Sequence, residues 1–212
     1  MMQTDDLIAR LSTEAVQTAL RPARLGMVMA LSILVPVALF LAVLGTRHGL
    51  MLAWSNPVVP FKTVLPLITC ALSILLVLRL IRPEARAGAT LWVYAVPLLA
   101  ALALWIGAFV LREPSARFAE VSAFSLDECL GSILLLSIVP VGVMLRLVRE
   151  GAATSPTLSG ALVGLSAASG VTAGYSLFCT RDNPLFFVTW YGAAILIVTL
   201  ISAALGRRML RW

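Results

Sequence analysis

Six uncharged apolar runs divide the chain: residues 25–46, 63–78 (extended by its flanks to 61–81), 89–111, 129–145 (extended to 148), 157–178 and 184–205. Each is long enough to cross a bilayer as a helix, for which about 20 residues are needed. This pattern predicts an all-α polytopic membrane protein of six transmembrane helices. With 60% apolar and 12% charged residues, the chain lacks the polar surface of a water-facing domain, which averages about 25% charged residues. Residues 25–212 therefore read as one membrane bundle and 1–24 as a polar N-terminal segment ahead of it. The first apolar run is too long for a signal peptide and lacks a small-residue cleavage site, so it is expected to be a retained anchor.

The charges orient the bundle. Arg and Lys outnumber Asp and Glu by 16 to 10, and only one of the sixteen, Lys62, is a lysine. Assigned to alternate segments, with Arg47 and Lys62 given to the first loop, they divide 11 to 5, while the acids divide five and five. The positive-inside rule then places both termini in the cytoplasm of a bacterial inner-membrane protein. The whole surplus of +6 falls on the cytoplasmic face, so the basic balance needs no direct nucleic-acid contact to explain it. The lipid bilayer is the first expected partner.

Two helix starts carry their own chemistry. Ser155-Pro156 and Asn183-Pro184 each set a capping residue before a proline at the first helical position. The fifth run has Gly160, Gly164 and Ala168 at four-residue intervals, followed by Gly170 and Gly174. Small residues at that spacing let helices approach closely, which predicts a central position for this span.

Several functions are disfavoured. The central cores of the runs carry no Asp, Glu, Lys, Arg or His, although transporters and pumps usually need such groups inside the membrane. Phosphate-loop, paired-histidine and serine-elbow motifs are absent. The chain's one histidine, His48, sits at a span end, as a headgroup contact does more often than a catalyst. No enzymatic activity is expected. A small inner-membrane transporter and a structural subunit of a membrane complex stand as the alternatives to a regulator.

Of three cysteines, Cys70 lies within the second span among Ile68, Thr69, Ala71 and Leu72, as a small packing residue does. Cys129 opens the fourth span and Cys179 closes the fifth, so the derived topology puts both at the periplasmic membrane level on sequence-adjacent antiparallel helices. Such a pair could form a disulfide, hold a soft metal such as copper or cadmium, or be two unrelated interfacial cysteines. No resident cofactor is implied. Trp190 and Tyr191 fall mid-span and read as packing residues, and Asp182 and Asn183 read as parts of the sixth helix start.

The N-terminal segment forms a different kind of surface. Leu7, Ile8, Leu11, Ala15, Ala19 and Leu20 recur at helical spacing, Thr4 can cap, and Asp5 and Asp6 suit the positive end of the helix dipole. A lipid-surface helix is typically rich in Lys and Arg; this one carries Asp5, Asp6 and Glu14 and, before Arg21, only Arg10. It better suits a protein partner with an apolar groove and a basic rim.

The opening TDDLI (4–8), Cys129 at the start of the fourth span, and the block CTRDNPLFFVTWYGAAI (179–195) with RRMLRW at the C-terminus together resemble the NrsF family of six-span membrane anti-sigma factors. The resemblance implies a membrane protein that holds an extracytoplasmic-function sigma factor through its N-terminal segment, here Thr4, Asp5, Asp6, Leu7, Ile8 and Leu11. It implies that Cys129 and Cys179 form a periplasm-facing sensor of heavy-metal or redox stress and the candidate metal ligands. Many relatives carry a histidine just before the second cysteine; Phe178 stands there in this chain, which favours thiol chemistry over a direct metal site.

Overall fold

The computed structural model describes residues 22–81, 88–118, 123–151 and 155–210. Six long helices form the bundle: α1 (Pro22–Leu44), α2 (Val58–Leu80), α3 (Ala95–Leu111, entered through a 3-10 segment Gly88–Tyr94), α4 (Ala123–Arg149), α5 (Pro156–Tyr175) and α6 (Pro184–Met209). All six spans are long and apolar enough to cross a membrane, in agreement with the sequence pattern. A single turn, Leu50–Ala53, interrupts the first loop. Gly45, at φ 81°, stops α1 and returns its N–H to the Leu41 carbonyl at 2.9 Å, a left-handed C-cap that glycine adopts without a Cβ penalty.

α5 is the central helix, packing against α6, α2, α4 and α1. Val163, Ala167, Ala168 and Val171 are wholly buried there. Glycines make the approach possible. A Cβ on Gly164 would lie 2.8 Å from the Val198 carbonyl oxygen and 2.9 Å from the Thr199 Cα of α6. One on Gly170 would lie 2.9 Å from both the Cys70 Sγ of α2 and the Ile33 side chain of α1. Cys70 is thus a packing residue against the C-terminal half of α5. Among the described residues α3 is the outermost helix, packing chiefly against α2 and α6, and it presents Val96, Leu98, Leu99 and Val110 outward. In water such a surface would far exceed the apolar patches monomers expose; in lipid it is the expected exterior.

The two cap motifs behave differently. Asn183 accepts a hydrogen bond from the Leu185 N–H at 3.1 Å and caps α6. Ser155 occupies the same position before α5, but its hydroxyl makes no cap; its carbonyl accepts the Ser159 N–H at 2.9 Å instead.

Candidate functional site

The cysteines come together at one end of the bundle. Cys129 (1% exposed) lies near the start of α4, and Cys179 (6% exposed) lies in the loop from α5 to α6. The Cys179 N–H still bonds the Tyr175 carbonyl at 3.1 Å, so the loop leaves α5 as a tightened turn. Both thiols are free and close enough that charge on one acts on the other. Two tyrosines accompany them. The Tyr175 hydroxyl faces Cys129, and the Tyr191 hydroxyl, buried and without a hydrogen bond of good geometry, faces Cys179. The two rings meet edge to face with centroids 6.1 Å apart. Among the described residues no group of three His, Cys, Asp or Glu side chains converges as a metal site.

A charged clamp holds the loop. Lys62 lies in the first turns of α2 and is 1% exposed. Its ammonium donates to the Cys179 carbonyl (2.7 Å), the Arg181 carbonyl (2.8 Å) and the Asp182 carboxylate (3.3 Å), and stands 5.9 Å from the Tyr191 ring centre. Arg47 donates to both Asp182 oxygens at 2.7 and 2.8 Å, while its backbone N–H bonds the Leu177 carbonyl at 3.0 Å. The hydrogen bond to Asp182 holds the Arg47 guanidinium above its ordinary pKa range. Asn183 completes the arrangement by donating its side-chain amide to the Arg117 carbonyl at 2.9 Å.

Two sequence readings are corrected here. Lys62 is a buried helix residue rather than a loop charge, because a loop carbonyl pair and a carboxylate satisfy all three of its protons. Asp182 is an ion-pair partner of Arg47 and Lys62, and the start of α6 is served by Asn183. The available signal was the lone lysine of the chain standing at a span end, with an aspartate in another loop on the same side. Tyr191 does pack, against Phe187 and Tyr175, but its hydroxyl also meets the thiol site.

A cleft of about 250 Å³ leads from the surface to this site, lined by Arg47, His48, Glu128, Tyr175, Cys179 and Arg181 among others. At the opposite end of the bundle, where α5 begins and α2, α4 and α6 finish, stand Arg79, Arg146, Arg149, Arg207 and Arg208, with Arg24 at the start of α1. The candidate sigma-factor contacts Thr4, Asp5, Asp6, Leu7, Ile8 and Leu11 lie outside the described residues.

The family model described as negative regulator of sigma F, NrsF, matches residues 11–212. The chain is 34% identical over 218 residues to the probable anti-sigma-F factor NrsF of Azospira oryzae, covering 100% of both chains. It is 29% identical over 215 residues to the anti-sigma-F factor NrsF of Caulobacter vibrioides, again covering 100% of both. No solved structure matches.

Proposed function

Since the chain belongs to the NrsF family of negative regulators of sigma F, we propose that it is a membrane anti-sigma factor that sequesters an extracytoplasmic-function sigma factor at the bacterial inner membrane and releases it under metal or redox stress. The observation that carries this reading is the match of essentially the whole chain, spans and loops together, to anti-sigma-F factors. The family is regulatory and not enzymatic, and a sigma factor is the partner its name implies. Both termini face the cytoplasm in this reading, supported by the 11 to 5 division of basic residues and by the arginines gathered at the end of the bundle where α1 begins. A sigma factor presents a basic surface to DNA, so an acidic, apolar-striped segment tethered at the membrane competes for that surface.

Cys129 and Cys179 are then the periplasmic sensor. Disulfide formation, or capture of a soft ion such as copper or cadmium, alters how α4 meets the loop between α5 and α6, and lowers the affinity for the sigma factor at the other end. A tenfold loss of affinity corresponds to about 1.4 kcal/mol, so a modest helix shift suffices.

Co-purification of the full-length chain in mild detergent tests the reading. The wild-type protein is expected to retain a sigma factor, and the Asp5→Lys/Asp6→Lys variant to lose at least nine-tenths of it while the membrane bundle is recovered intact. Absence of a sigma factor from the wild-type preparation, or retention that ignores changes throughout residues 1–24, overturns it in favour of a transporter or structural subunit.

A further inference from the structure

The buried ammonium of Lys62 is costly to place in an apolar span, since a charge removed from water must be fully compensated by hydrogen bonds and opposite charge. Here every proton of that ammonium goes to one short piece of chain. The Cys179 carbonyl, the Arg181 carbonyl and the Asp182 carboxylate receive them at 2.7, 2.8 and 3.3 Å. The neighbouring Thr63 hydroxyl reaches the same region, 2.6 Å from that of Ser176. Arg47 grips Asp182 from the first loop and adds a longer contact to the Cys179 carbonyl at 3.5 Å. Without these bonds, the stretch from Cys179 to Asp182 would be fixed chiefly by the ends of α5 and α6 on either side of it.

We infer that Lys62 is the positioning residue of the cysteine site: it holds the Cys179 backbone so that the thiol, at the inner wall of the cleft, stays turned toward Tyr191 and Cys129. This rests on the proposed sensor role of the cysteines for its significance. Lys62 touches the carbonyl of Cys179 and not the sulfur, so it acts through loop position. Arg47 and Asp182 are the second half of the clamp. Because Lys62 belongs to α2 and Arg47 follows α1, the position of Cys179 is tied to four helices rather than to α5 and α6 alone, and a change at its sulfur is transmitted to all of them.

The test is the rate of maleimide alkylation in the full-length chain in detergent, with Cys70→Ala and Cys129→Ser so that Cys179 is the sole thiol. Lys62→Met is expected to accelerate alkylation at least tenfold. Lys62→Met/Asp182→Asn, which returns the Lys62–Arg47–Asp182 group to its wild-type net charge but makes neither carbonyl bond and also loosens Arg47, is expected to stay fast. In a chain retaining Cys129 alone, Lys62→Met is expected to bring no acceleration. An unchanged Cys179 rate in Lys62→Met overturns the inference. So does a return to the wild-type rate in the double variant, which would make Lys62 only a counter-charge, and so does equal acceleration at both thiols, which would show general loosening of the bundle. Alkylation is read without stress or sigma factor, so a failure here is distinct from failure of the sensor reading, which shows as normal induction in cysteine variants.

Discussion

Gly206→Val is expected to lower the melting temperature of the detergent-solubilised protein by roughly 3–10 °C, the consequence of about 1–3 kcal/mol of overpacking in a chain of this size. The argument is geometric. A Cβ on Gly206 would stand 2.7 Å from the Gly160 Cα and 2.7 Å from the Pro156 carbonyl oxygen. Both are backbone atoms, so no rotamer change relieves the clash and the start of α5 must move away from the end of α6. Lipid is as apolar as the side chains, so close packing rather than the hydrophobic effect drives helix association in the membrane. Lost backbone approach is therefore felt directly. Gly142→Ala is the control: a Cβ there meets nothing within 4 Å, and alanine is the better helix former by up to about 1 kcal/mol. Thermal denaturation of both variants decides the matter. Equal shifts would show that the α5–α6 crossing does not depend on the glycines.

The central, closely packed place of α5 was visible in the sequence because hydropathy and residue size act locally. A run of about 20 apolar residues must be a helix in lipid, as no other lone segment satisfies its backbone there. Gly160 and Gly164 one turn apart announce a contact face before the partner is known. The clamp was not visible for the opposite reason. Lys62 sits where thousands of interfacial lysines sit, at a span end, and only the packing of α2 on the loop after α5 separates a solvated charge from a buried one. Asn183 and Ser155 make the same point on a smaller scale. Both precede proline at a helix start, yet only the longer asparagine side chain reaches back to its helix, while Ser155, at φ −130° and ψ 89°, leaves its hydroxyl out of the turn. For the cysteines, alternation of antiparallel spans placed Cys129 and Cys179 at one level, and the fold adds two tyrosines and a polar cleft.

Replacing either Cys129 or Cys179 by serine is expected to abolish stress-induced release of the sigma factor, leaving a reporter of its regulon at the uninduced level under copper, cadmium and oxidant alike. Each route needs both sulfurs. A disulfide forms between two thiols with loss of two electrons to an oxidant, and a soft ion is held as a two-thiolate pair only if both are present. Serine nearly keeps the size of the side chain and its place beside Tyr175 or Tyr191 but supplies neither a sulfur that can be oxidised to a disulfide nor a soft ligand. The bundle should persist, because Cys129 and Cys179 are small members of a core dominated by larger side chains. Cys70→Ala separates thiol chemistry from thiol content: that sulfur packs against Gly170 and Ile33 far into the span, and induction in this variant should match wild type. Normal induction in both serine variants would sink the sensor assignment. Loss in one variant alone would exclude the paired chemistry and point to a single reactive thiol, with Cys179, which lines the cleft, as the first to examine.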